Sequence, residues 1–143
     1  PTCIVLSRQS VRLVDAPLGA DLSRGAYVIQ YAKTSRVRAT ILATGAEVPL
    51  AIDVAEKLGG AVQVVSVVNV ADFRAQSAEY KKQLLRGFVV AIEAAASAPW
   101  FEFADAVVGI DRFGISGDGM DVYTQLGFDV DTIVNDIKTK CNK

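Results

Sequence analysis

The chain has 143 residues, 51% hydrophobic and 22% charged, an ordinary globular balance in a length that suits one domain with a core of its own. Its 15 Lys and Arg against 16 Asp and Glu leave a formal charge of −1, with no basic block or interleaved aromatics to argue for nucleic acid or an anionic membrane. No apolar run is long enough to span a bilayer, and two cysteines without a histidine make neither a disulfide framework nor a four-ligand zinc site.

In chain order, residues 2–6 form a continuous apolar run, expected as a strand covered on both faces and ending at Ser7-Arg8-Gln9. Because such a strand stands at the very start, the chain is expected to be a fragment. Residues 14–25, broken by Pro17 and Gly19, are expected as a linker or surface loop. Residues 27–31 and 39–43 are expected strands, and their hairpin-like spacing suggests one antiparallel member. Thr44-Gly45-Ala46-Glu47 turns the second of these into a helix with Pro49 in its first turn, Ala51, Val54, Ala55 and Leu58 at helical spacing, and Gly59-Gly60 as its stop.

Residues 62–68 predict a third strand, and Asp72 is expected to cap a helical region holding Phe73, Gln76, Tyr80, Leu84 and Leu85. Residues 88–92 predict a fourth strand ending at Glu93. A short helix over 98–104 is expected to put Trp100 and Phe103 on one face, with Trp100, Phe101 and Phe103 covering the core. A last strand over 106–110 precedes helices over 121–126 and 131–140, each opened by an aspartate suited to the positive end of the helix dipole. Strands alternating with helices make the fold class α/β, with a mostly parallel five-stranded sheet and one antiparallel strand.

Several short motifs follow one another along this frame: Leu6-Ser7-Arg8-Gln9, Gly25-Ala26-Tyr27-Val28, Ala43-Thr44-Gly45-Ala46-Glu47-Val48, Val65-Ser66, Ala91-Ile92-Glu93-Ala94, Trp100, and Gly109-Ile110-Asp111-Arg112-Phe113-Gly114-Ile115-Ser116-Gly117 with Leu126-Gly127-Phe128. In this order the series resembles the C-terminal region of transketolases over essentially the whole chain. Ser10, Pro99 and Asp105 depart from the usual residues of that family. Homodimeric pyruvate dehydrogenase has a similar glycine-phenylalanine-glycine turn, but Leu6-Ser7-Arg8-Gln9 and Arg112 favour transketolase.

The resemblance implies a three-layer sandwich with residues 1–13 ending the middle, pyrimidine-binding domain, 14–25 as linker and 26–143 as the C-terminal domain. It further implies a parent enzyme that moves two-carbon ketol units between sugar phosphates, works as a homodimer and uses thiamine diphosphate with a divalent metal, Mg or Ca. No cofactor is expected in this chain, which is expected to be inactive alone. Its implied partners are the remaining transketolase domains and the sugar phosphates, with no nucleic acid or membrane. The expected setting is cytoplasmic, without signal or transit peptide. Two rivals are a free-standing module for a small anion or nucleotide and a separately encoded subunit of a split transketolase.

Among candidate site residues, Arg8 sits past the end of a predicted strand, where it could grip a phosphate with a guanidinium fork or merely solvate the strand end. The resemblance implies the phosphate role. Ser7 and Gln9 could line the same channel, although strand alternation would aim both away from Arg8. Thr44-Gly45-Ala46-Glu47 lacks the glycines and lysine of a nucleotide loop, so Glu47 is expected to serve the helix N-terminus. Glu93 and Arg112 are expected to form a structural ion pair that fixes the loop of Phe113 and Gly114, with Asp111 as an alternative partner for the arginine. Acid–base catalysis by Glu93 with Asp111 has no nucleophile beside it. Gly117-Asp118-Gly119 looks like the opening of a thiamine-diphosphate metal motif, but Asn135 follows too soon, and it is read as a loop. No catalytic, cofactor-binding or metal residue is expected here.

Overall fold

Apolar, β-branched runs bounded by turn residues set the frame. The computed structural model, which describes residues 3–4, 6–7 and 9–141, joins them in one sheet of order β1-β3-β2-β4-β5. The strands are β1 (Ala26–Gln30), β2 (Ala39–Ala43), β3 (Val62–Val67), β4 (Phe88–Ile92) and β5 (Ala106–Val108). β2 runs parallel to β3 and β4, β4 runs parallel to β5, and β1 alone is antiparallel. The sheet is thus the mostly parallel, five-stranded one expected.

The antiparallel strand pairs differently from the hairpin spacing. β1 lies beside β3, with Ala26 opposite Val67 and Val28 opposite Val65. Every residue of β2 is buried, so this strand belongs in the middle of the sheet rather than beside its sequence neighbour. The connection over residues 31–38 runs past the start of β3, where Lys33 N–H donates to Gly60 O at 2.7 Å and Arg38 N–H to Ala61 O at 2.8 Å.

Period-two alternation divides the strand side chains between two cores. Ile41, Ala43, Val64, Val90 and Ile92 pack against α1 (Val48–Leu58) and α5 (Val130–Cys141). Leu42, Val65, Val67, Val89 and Ala91 pack against α2 (Val70–Arg74), α3 (Ala78–Leu84) and the 3-10 turn Ala98–Glu102. Helix α1 forms because Pro49 starts it without losing a needed N–H and Ala51, Ile52, Val54 and Ala55 make one buried stripe; Gly59 caps its end. An ion pair between Lys57 and Asp131 ties α1 to α5 on the surface.

The second helical layer is two helices rather than the one region expected. Asn69 caps α2 by accepting from Ala71 N–H and Asp72 N–H, and Ser77 caps α3 by accepting from Tyr80 N–H. Asp72 is therefore a first-turn residue, held by Asn69 Nδ2 at 2.6 Å. The expected helix over 98–104 is a 3-10 turn; Trp100 and Phe103 are buried, while Phe101 is 57% exposed. Phe103 stacks on Phe73 with ring centroids 5.0 Å apart. α4 (Gly119–Gln125) starts earlier than expected, because Asp118 rather than Asp121 is its cap.

Gly25 leads into β1 at φ +80°, and a Cβ there would stand 2.4 Å from Asn69 O and Phe73 N. Its carbonyl accepts from Val68 N–H and Asn69 N–H, so a backbone crossing that only glycine fits locks the entry of the domain to the end of β3. The buried strand expected over residues 2–6 is not seen where the chain is described: Cys3, Ile4 and Leu6 lie outside any strand and are exposed. None of the five strands pairs with Cys3, Ile4 or Leu6, whose side chains stay open to solvent.

Candidate functional site

Chain direction creates the principal cleft. From β2 the chain crosses through α1 to β3 on one side, and from β3 it returns through α2 and α3 to β4 on the other side of β2. Connections leaving neighbouring strand ends in opposite directions open a crevice at the carboxyl edge of an α/β sheet. Here that crevice is a cleft of about 830 Å³, with Glu47 after β2, Glu93 after β4, Tyr123 on α4 and Gln9 of the N-terminal segment among its lining.

Glu47 is only 5% exposed, and its side chain caps no helix N–H; it turns instead to the Tyr123 hydroxyl, which donates to Oε1 at 2.5 Å. The expected helix-dipole role of Glu47 is thus replaced by a buried side-chain bond. Gln9 Nε2 donates to the same phenolic oxygen at 3.3 Å. Burial, reinforced by the bond to Glu47, pushes the Tyr123 phenol up to about 12, so it keeps its proton and the direction of the chain Gln9 to Tyr123 to Glu47 is fixed. Glu93 Oε2 is buried with no hydrogen-bond partner. Burial, then the nearby charge of Glu47, raise this carboxyl from its ordinary 4.5 to about 7. No lysine or arginine is among the described residues lining the cleft, which is acidic in character.

A second cleft of about 600 Å³ shares Gln9, Ala46, Gly119 and Tyr123 with the first and continues over α1, with Leu50 and Phe128 in its lining. Arg12 anchors the N-terminal segment there: its Nη2 donates to Asp53 Oδ1 at 2.8 Å and to Pro49 O at 3.3 Å. A separate cleft of about 340 Å³ beside β1, sharing no lining residue with the other two, holds the Arg24 guanidinium 4.3 Å over the Tyr80 ring. Its acidic residue, Asp21, is already engaged by Ser23.

The residues singled out from sequence are dispersed. Arg8 lies outside the described residues. No ion pair joins Glu93 to Arg112 among the described residues: Glu93 faces Glu47, and exposed Arg112 donates to Gln125 O at 3.2 Å, at the last turn of α4. Nor does Asp111 take the arginine. It accepts from Ser97 N–H at 2.9 Å and Ser97 Oγ at 2.6 Å, and the hydroxyl contact, with the N–H behind it, holds its carboxyl below the usual range. That clamp closes the loops after β4 and β5 on each other, where Ile110 N–H meets Ala95 O at 2.8 Å. Gly109 makes the approach possible, since a Cβ there would stand 3.0 Å from Ala95 O. Gly114 is exposed with nothing within 4 Å of a Cβ, and neighbouring Phe113 is 98% exposed.

Tyr123 escaped notice in the sequence because its partner is 76 residues away. The usable signal was a pair of carboxylates, Glu47 and Glu93, each just past a strand that ends at the same edge. Among the described residues, no three potential metal ligands gather, and no helix is long and apolar enough to cross a membrane.

The chain is thus a doubly wound α/β domain with its crevice at the switch point. Residues 25–129 match the family model of the transketolase-like TK C-terminal domain, and the chain belongs to that family. It is similar to the transketolase of Bacillus subtilis, 36% identical with all of this chain and 23% of the relative covered. Among solved structures, the transketolase of Campylobacter jejuni aligns at 36% identity and a TM-score of 0.86, covering 92% of this chain and 21% of that one. The transketolase of Leishmania mexicana aligns at 31% identity and a TM-score of 0.78, covering 85% of this chain and 18% of that one. The chain spans less than a quarter of the length of these transketolases.

Proposed function

We propose that this chain is the C-terminal portion of a cytoplasmic, homodimeric transketolase, which passes two-carbon ketol units between sugar phosphates in the pentose phosphate pathway. Its own part is structural, and Arg8 supplies a contact to the substrate phosphate. Residues 1–13 close the middle domain and 14–25 link it to the C-terminal domain. The observation that carries this reading is the family match over 25–129 together with full-length alignment of this chain to a bacterial transketolase.

Thiamine diphosphate and its divalent metal, when bound by such an enzyme, supply the carbanion chemistry. The described residues do not fit that group. Asp118, the one acid of the metal-like tripeptide, is used as the cap of α4, accepting from Met120 N–H at 3.1 Å. Cofactor and proton-transfer histidines are therefore assigned to the rest of the parent, this chain having no histidine.

Antibody raised against this chain provides the test. Immunoprecipitates from native lysate are expected to transfer a ketol unit from a ketose phosphate to an aldose phosphate, while the purified chain alone does not. Precipitates that hold the chain but lack transfer would overturn the assignment.

A further inference from the structure

We propose that the open edge of β1 and the cleft beside it form a docking groove for the last residues of a protein chain, bound as an added antiparallel strand with its terminal carboxylate on Arg24. β1 pairs with β3 alone, so its other edge carries backbone groups without a strand partner. The ladder says which groups these are. Gly25 O accepts from Val68 N–H, and alternate residues of an antiparallel pair turn toward the partner and away from it. Gly25 and Tyr27 therefore face β3, while Ala26 and Val28 face outward. The Tyr80 hydroxyl donates to Ala26 O at 2.6 Å and closes that position. Val28, the next outward residue, lines the cleft of about 340 Å³.

The rest of the cleft suits a chain end. Arg24 stands just before β1, with its guanidinium held 4.3 Å over the Tyr80 ring. Among the described residues that guanidinium makes no hydrogen bond. Its Nε is 3.6 Å from Asp21 Oδ2, too far for one, and Asp21 Oδ1 is taken by Ser23. An oriented guanidinium with both Nη groups open matches a carboxylate in fork geometry. Its place at the start of β1 sets the direction, since a strand that ends there runs antiparallel to β1. Leu18, fully exposed, and Tyr31, 66% exposed, line the groove and offer apolar contact to the side chains of such a tail. The volume is at the small end of ligand sites, which restricts the occupant to a tail's last few residues.

The full chain serves as bait, and the probe is a display library of random heptapeptides that end in a free carboxylate. Enriched peptides are synthesised with a terminal carboxylate, with a terminal amide, and with single backbone N-methyl groups, and the Kd of each is measured. Apolar, β-branched endings are expected to be enriched. Amidation of the peptide and Arg24→Gln in the chain are each expected to weaken binding about 10-fold or more, and to add little when combined. N-methylation is expected to weaken binding at alternate residues and spare those between, because every second amide of an added strand faces β1. Arg24 is half-exposed, so its substitution opens no core, and the amide and N-methyl peptides need no variant at all. A library without enrichment, amides that bind as tightly as acids, binding indifferent to Arg24→Gln, or N-methyl losses without alternation would each overturn the groove.

Discussion

Tyr123 and Glu47, 76 residues apart in the chain, meet at 2.5 Å across the carboxyl edge of the sheet, joining α4 to the turn between β2 and α1. Because Glu47 is 5% exposed, the phenol is its route to satisfaction in a place where water has little access. Tyr123→Phe should lower stability by about 1–3 kcal/mol, the cost of stranding a buried acceptor. Denaturant unfolding of the purified chain measures it; a change of only a few tenths would show that Glu47 finds another donor.

Glu93 gives stability a pH dependence of definite sign. Its carboxyl titrates near 7 in the fold against an ordinary 4.5, so the folded state holds the proton more tightly. Stability from this group falls as pH rises from about 4.5 through 7, because the folded chain must give up a proton the unfolded one has already lost. The shift discounted for solvent screening at this half-buried site corresponds to about 1 kcal/mol. Glu93→Gln should therefore stabilise at pH 8 by about 1 kcal/mol and change little at pH 4.5. Melting curves at the two pH values decide, and an equal effect at both would remove Glu93 as the cause.

For the parent enzyme, Arg8→Ala should raise KM for phosphorylated acceptors by about 10-fold or more, consistent with loss of a charge-assisted contact of about 1.5–3 kcal/mol. Steady-state kinetics with phosphorylated sugars test this. Kinetics like those of wild type would remove Arg8 from the phosphate site.

Gly25→Ala should cost about 2–4 kcal/mol, because the new Cβ adds strain at positive φ to a collision with backbone that cannot move without opening α2. The atoms in question, Asn69 O and Phe73 N, stand 2.4 Å from the Cβ position. Gly114→Ala, with open space around it, serves as the control. Similar losses at the two positions would refute the steric account.

β2 and β4 were readable to the residue because each is a short apolar run between turn-formers, and both are buried on both faces. Their partners were less readable. Local spacing favoured a hairpin between β1 and β2, but burial of all of β2 outweighs the saving of a short connection. The helices of the second layer were merged in the sequence because Phe73, Gln76, Tyr80 and Leu84 keep helical spacing across the break, which the cap Ser77 marks.

At the site, strand ends placed Glu47 and Glu93 at the correct edge, yet their partners depend on rotamers that no spacing rule supplies. Arg112 was the nearest cation in the motif, but the Asp111 bonds to Ser97 hold the loop in place and Arg112 turns outward to α4.

The strand order has a consequence for how the chain assembles. β2, at the centre, is flanked by β3 and β4, and β1 also waits for β3. A growing polypeptide therefore exposes two apolar strands with no mate until the segment ending at Val67 has emerged, and the middle of the sheet stays open on one side until Ile92 has followed. Such non-local closure slows folding and prolongs the interval in which unpaired strands can meet other chains. Early interruption of synthesis, before β3, would thus release a product with strands but no sheet.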